Sequence, residues 1–268
     1  MRLLEGDAAK GLIPALFHIH RSQGTREQNG IGAIGTRDVK TVRNIEKVSI
    51  TQQINRLTEP FTMVDLLELD DLVLSIFLCQ GNLAFHRHID QDELFLVHTG
   101  EIILETDWGK ATLRQGELSV APKGLGHRSS SLLRSLVLLL QPRLMANRRN
   151  GDRRLFALKD SGQLDKVSVP AMAHQVTRAF EPVDLIDVDT FTLRLIAVEG
   201  TGPWWRVEDQ KNLIWCHDGQ VSLETESSQL SLYSHELALV PPGIPHRLSS
   251  LQRSVILGLR RHTQPTLT

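Results

Sequence analysis

Apolar residues along this chain come in short runs: LVLSIFL at 72–78, ELFLV at 93–97, EIILET at 101–106 and LSVAP at 118–122. Gly, Pro, Asn and Asp separate them. Runs of this length, rich in Val, Leu, Ile and Phe and punctuated by turn residues, predict the strands of an all-β sandwich or barrel. No apolar stretch approaches the ~18 residues of a membrane-crossing helix, and the N-terminus lacks a segment of signal-peptide character. The expectation is a soluble, cytoplasmic protein with no membrane partner.

The pattern repeats. Sliding the sequence along itself by 119 residues places EKVSI at Glu46 on DKVSV at Asp165, GEIILET at Gly100 on GQVSLET at Gly219, and APKGLGHRSSSLLRSLVL on VPPGIPHRLSSLQRSVIL. The register needs no gap from about Ile45 to Pro142. Two copies with one strand order follow, and two copies of this length are too few and too long for a solenoid. The expected organisation is an N-terminal extension at 1–44, a first unit at 45–142, a linker at 143–163, a second unit at 164–262 and a tail at 263–268. The Gly-rich QNGIGAIGTRD of the extension reads as loop. The polar, basic 143–163 segment reads as a solvated connector.

Charge and cysteines narrow the function. With 30 basic against 31 acidic residues the chain has no field to hold a polyanion, and no DNA-binding helix-turn-helix is evident, so nucleic acid is excluded as a partner. Cys79 and Cys216 each sit inside an apolar run and read as core.

The histidines carry the chemistry. In HRHIDQDE, His86 and His88 share one face of a strand, and a turn through Ile89 to Asp92 brings Glu93 back on the next strand, with Phe95 and Val97 sharing its parity. GELSVAPKGLGH then turns at its glycines and proline and delivers His127 at the start of another strand. His18 and His20 also form H-x-H, but no glutamate or second motif accompanies them, so they read as structural or exposed. His98 and its repeat mate His217 each come shortly before a turn glycine, which suggests a shared structural role.

The spacings H-x-H-x4-E-x6-G (His86 to Gly100) and G-x5-P-x-G-x2-H (Gly116 to His127) are the two motifs of the cupin superfamily. The chain resembles a bicupin from 45 to 261. The resemblance implies two tandem cupin double-stranded β-helix (jelly-roll) barrels, with one divalent metal held by His86, His88, Glu93 and His127. In the second copy these positions become Trp205, Val207, Asn212 and His246, so that unit should be metal-free. Trp204, Trp205 and Trp215 cluster there and read as a plug, or as an aromatic wall for a second ligand.

Asymmetric bicupins resemble aromatic ring-cleaving dioxygenases of the gentisate, homogentisate and 3-hydroxyanthranilate type. The implied function is a mononuclear Fe(II) dioxygenase of a small aromatic or cyclic hydroxy acid. Alternatives are a non-redox metal-dependent isomerase, decarboxylase or hydrolase, and a non-catalytic ligand-binding bicupin. Mn, Ni, Co or Zn would also fit the ligands. The expected partner is an anionic, metal-chelating small molecule, bound near Phe95, Val97, Arg114, Ser129 and Ser131. Strand alternation turns Arg87 and Arg128 away from the metal. The chain is expected as a monomer or homodimer.

Overall fold

The computed structural model describes residues 45–143 and 162–262, all within the compact unit Val42–Thr268. The extension at 1–44 with its His18 and His20, nearly all of the linker and the tail at 263–268 lie outside the described residues.

The described chain is almost entirely strand, as expected. The first half runs β1 (Glu46–Ser49), α1 (Ile50–Ile54), β2 (Met63–Leu69), β3 (Leu72–Asn82), β4 (His86–Arg87), β5 (Glu93–Thr99), β6 (Glu101–Thr106), β7 (Gly109–Arg114), β8 (Glu117–Ala121) and β9 (Gly126–Pro142). The second runs β10 (Lys166–Ser168), α2 (Val169–Gln175), β11 (Val183–Val188), β12 (Phe191–Thr201), β13 (Asn212–Asp218), β14 (Gln220–Thr225), β15 (Gln229–Tyr233), β16 (Glu236–Val240) and β17 (His246–Arg261).

The repeat reaches the backbone in detail. Bulges fall at equivalent points, between Cys79 and Gly81 on β3 and between Val198 and Gly200 on β12. Even the left-handed non-glycine residues recur, Phe61 (φ 59°) with Phe180 (63°) and Asp70 (49°) with Asp189 (51°).

All pairing is antiparallel and forms one sheet of nine strands and one of eight. The long strand β9 organises the first sheet. Its N-terminal part pairs with β4 and β6, while its C-terminal part pairs with β3 and β5. One strand thus serves both sides of a folded-over sheet, and β17 does the same with β14 on one part and β12 and β13 on the other.

The sheets exchange their first strands. β1 pairs with β16, Glu46 opposite Leu239 through Ser49 opposite Glu236, and β10 pairs with β8, Lys166 opposite Ser119 through Ser168 opposite Glu117. Equivalent ion pairs mark both seams, Lys47–Glu236 at 2.7 Å and Lys166–Glu117 at 3.1 Å. Partly exposed pairs of this kind contribute at most about 1 kcal/mol each. The exchange is held mainly by ladder bonds and apolar packing.

Three apolar clusters result. Phe77, Phe95, Ile102 and Val137 fill the first sheet's interior, and Val198, Ile214, Val221 and Ile256 fill the second's. The largest joins the two sheets, with Leu74, Leu96 and Leu138 packed among residues such as Leu193, Trp215 and Leu257. β3 therefore buries both faces, which is why LVLSIFL reads as a continuous apolar run rather than an alternating one.

Because each sheet contains a strand of the other repeat and both share one core, they should unfold together. Ile50 follows β1 in the first repeat, is fully buried in the joint core, and donates its backbone N–H to the His235 carbonyl of the second at 3.0 Å. Ile50→Ala should lose about 2–4 kcal/mol. Urea unfolding followed by tryptophan fluorescence and by far-UV dichroism should then shift as one transition, and separate midpoints for the two probes would contradict a shared core.

Candidate metal centre

The site forms where β4, β5 and β9 meet. His86 on β4 pairs directly opposite His127, the second residue of β9, and Glu93 is the first residue of β5. His88 follows β4 by one residue, and its carbonyl accepts the Gly124 N–H at 2.6 Å, which ties the ligand hairpin to the turn ahead of β9. Gly124 has φ +83°, a left-handed backbone that favours glycine. Gly126 is needed for space, since a Cβ there would lie 2.6 Å from the Phe85 ring and 2.7 Å from an Asp107 carboxylate oxygen.

His86, His88, Glu93 and His127 each offer a ligand atom, and those atoms lie within 4.8 Å of one another. Atoms ~2.1 Å from a common centre lie ~3 Å apart at right angles and ~4.2 Å apart when opposite, so the donor set fits one transition-metal ion. Glu93 and His127 are buried, while His86 and His88 are partly exposed and leave the group open on one side.

Hydrogen bonds orient the rings. His86 Nδ1 and His127 Nδ1 donate to the Ala84 and Leu125 carbonyls, both at 2.9 Å, which turns each Nε2 toward the centre. His127 Nε2 reaches Glu93 Oε2 at 2.8 Å and His88 Nε2 reaches Oε1 at 3.3 Å. Burial opposes charge on His127, yet the Glu93 carboxylate and the Leu125 carbonyl prevail and hold its pKa above the ordinary value. Burial dominates at His88 and lowers its pKa. A metal ion at Nε2 of His127 would displace that proton.

Sequence reasoning passed over Gln91. It is buried, and its side-chain amide lies 3.1 Å from His88 Nδ1. Its amide nitrogen faces Nδ1; turned over, with the amide oxygen toward Nδ1–H, it would fix the tautomer that leaves His88 Nε2 free for a metal. Its position inside the ligand turn was the available signal.

The residues expected to line the pocket separate. Phe95 packs edge-on to His127, ring centroids 6.0 Å apart, and Ser129, next on His127's face, has a buried hydroxyl. Val97 is four residues beyond Glu93 and Ser131 four beyond His127, each ~13 Å along its strand. Val97 is core, and Ser131 Oγ donates to the Glu101 carbonyl at 2.6 Å. Arg114 pairs with Glu101 at 3.0 Å, five residues along β6 from Thr106, which faces His127, hence ~16 Å away. Arg87 and Arg128 bond Asp107 and Glu105, respectively.

The second half shows what became of the same geometry. His246 Nδ1 donates to the Ile244 carbonyl at 2.7 Å, so its Nε2 carries a lone pair, and Asn212 Nδ2 donates into it at 2.8 Å. The Trp205 ring stands edge-on to His246 at 4.9 Å, with Trp205 bridged to it in the position of His86. Burial lowers the His246 pKa. This histidine is a neutral hydrogen-bonded pin.

Antiparallel sheets folded around a histidine–glutamate cluster that could hold a metal are the features to compare with known proteins. Similar solved structures include a cupin 2 conserved barrel domain protein from Leptotrichia buccalis (TM-score 0.60, 11% identity, 81% of this chain and 96% of that one). Salicylate 1,2-dioxygenase from Pseudaminobacter salicylatoxidans matches at TM-score 0.60 with 9% identity, over 81% of this chain and 84% of that one. A putative glyoxylate-induced protein from Pseudomonas aeruginosa matches at 0.57 with 11% identity, over 88% and 97%. In sequence, the uncharacterized protein YdbB of Bacillus subtilis is 30% identical over 88 residues, 32% of this chain and 78% of that protein. No family model matches the chain. The fold is similar to that of a cupin 2 conserved barrel domain protein and of salicylate 1,2-dioxygenase.

Two substitutions test the centre. Glu93→Ala should abolish stoichiometric divalent-metal binding, and Gln91→Ala should weaken it about 10- to 100-fold, as removal of a ring-orienting partner does. Elemental analysis and metal titration measure both; full occupancy in Glu93→Ala would remove that residue from the ligand set.

Proposed function

We propose that the protein is a bicupin of two tandem double-stranded β-helix barrels, metal-dependent in the first and metal-free in the second. It acts as a mononuclear Fe(II) dioxygenase on a small aromatic or cyclic hydroxy acid. The observation that carries this is the cluster of three imidazoles and one carboxylate, buried on one side and open on the other. Support comes from the fold shared with salicylate 1,2-dioxygenase, one structure of which carries gentisate.

Four protein ligands would leave two positions of a six-coordinate ion, and Fe(II) held by them would supply electrons for dioxygen chemistry that side chains lack. One charged carboxylate against a divalent ion leaves the centre net positive, which favours an anionic chelating substrate. Phe95 beside His127 gives an apolar wall for a ring. Gln91 and the Ala84 and Leu125 carbonyls hold the imidazoles, and Glu93 stays buried away from bulk water. Among the described residues no helix is long and apolar enough to cross a membrane.

Protein loaded anaerobically with Fe(II) should consume oxygen with at least one member of a panel containing gentisate, salicylate and non-aromatic hydroxy acids, and Glu93→Ala should not. Iron-loaded protein that takes up no oxygen with any of them would overturn the dioxygenase reading. Oxygen-independent turnover with Mn or Zn would favour the non-redox alternative.

A further inference from the structure

A second group of histidines lies at the junction of the two sheets, apart from the metal centre. A cavity of about 580 Å³ opens there, with walls from both halves, among them His98 on β5, His174 on α2, Trp215 and His217 on β13, His235 in the turn before β16, and Arg253 on β17. His98 and His217 occupy equivalent repeat positions, but His235 falls where the first copy has Gly116, so the third imidazole breaks the symmetry. The His98 and His235 rings meet edge to face with centroids 4.7 Å apart.

Two observations say what this cavity takes. Trp215 contributes to the cavity lining and is only 4% exposed, and its buried indole Nε1 has no hydrogen-bond partner, a donor that calls for an acceptor. The lining is also rich in nitrogen donors and includes one guanidinium, that of Arg253. Arg253 is held by the Ala173 and Val176 carbonyls and lies 4.0 Å from Glu199, too far for a close ion pair. Asp218 is the carboxylate of the lining and is exposed. A cation is the weaker fit: among the described residues, the group at Glu93 is the one that brings three or more metal-ligand atoms within 4.8 Å.

We propose that this junction cavity binds a small oxyanion, a carboxylate or a phosphate, which accepts from the Trp215 indole and the junction imidazoles beside the Arg253 guanidinium. The site is built from both repeats and is independent of the metal centre.

Binding should be linked to proton uptake. Burial, with His235 and His217 nearby, pushes the His98 pKa down to about 4, and burial lowers that of His217. The groups that face this cluster are His174, His235, Arg253 and Asp218, with Glu199 beside Arg253. A bound anion favours the charged imidazole and raises those pKa values. Affinity therefore rises as pH falls through the raised value toward that of the free protein, by up to about tenfold per pH unit for each proton taken up.

Calorimetric titration and thermal melts of the full chain with sodium phosphate and with sodium succinate, at about pH 6 and pH 8 and against sodium chloride of equal ionic strength, test this linkage. Saturable binding that is tighter at the lower pH is expected. Trp215→Phe keeps the ring's bulk and removes its N–H, and His235→Asn removes one imidazole; each should weaken binding at least fivefold. Binding of phosphate alone or succinate alone supports the site and identifies its anion. Absence of any saturable effect beyond chloride, or equal affinity in the wild type and both variants, overturns it. Should His235→Asn fail to fold, Trp215→Phe decides.

Discussion

A carboxylate buried in an apolar interior must be met by positive charge, because leaving it unpaired costs several kcal/mol. Glu93, 4% exposed at the head of β5, imposes that requirement on everything around it. His127, whose pKa the carboxylate raises, answers it directly at 2.8 Å, and the His88 ring lies 3.3 Å away. Holding those rings in place then requires the Leu125 and Ala84 carbonyls, the Gln91 amide, the left-handed turn at Gly124 and the bare backbone at Gly126. Remove the carboxylate and the requirement disappears, which is what the second half displays: neutral Asn212 faces neutral His246, and a tryptophan fills the adjoining space.

The exchange of β1 and β10 ties the two halves into one structure. Each is a short strand that would otherwise leave an edge of its own sheet, and an unpaired edge is a site for unwanted association. Paired across the seam, the strands instead cap β16 and β8 of the opposite copy. The joint core completes the arrangement, with Trp215 of the second half packed among leucines of the first. The junction cavity follows the same repeat: His98 and His217, at equivalent positions, both line it, and Gly116 opposite His235 makes the two sides unlike.

Much of this was legible in the sequence, for definite reasons. The 119-residue offset survives because strand lengths and turn glycines are set by the ladder, so Gly81, Gly100 and Gly124 recur as left-handed Gly200, Gly219 and Gly243. The convergence of His86, His88, Glu93 and His127 was readable because a hairpin and one turn bring them together through local spacing. Parity along a strand, by contrast, reports which face a side chain takes and not how far along that face it sits. Phe95 and Ser129, two residues from a ligand, are near the centre, whereas Val97, Ser131 and Arg114 share the expected parity or pattern and lie 13–16 Å away by ~3.3 Å per residue. The strand exchange left no trace in the sequence, since EKVS and DKVS pair equally well with either copy's β8 or β16.

The histidine shared by the two halves shows what separates a candidate ligand from a structural pin. His127 and His246 share an orientation: each donates Nδ1–H to the carbonyl two residues earlier, at 2.9 and 2.7 Å, and each presents Nε2 to the residue that opens the facing strand. That facing residue decides the chemistry. A carboxylate at 93 holds the Nε2 proton as an ion pair that a divalent cation can displace, while an amide at 212 donates into the Nε2 lone pair and competes with any metal for it. The turn before each histidine therefore belongs to the architecture of both halves, and the capacity for metal resides in the choice between Glu93 and Asn212 together with the two imidazoles at 86 and 88 that Trp205 and Val207 replace.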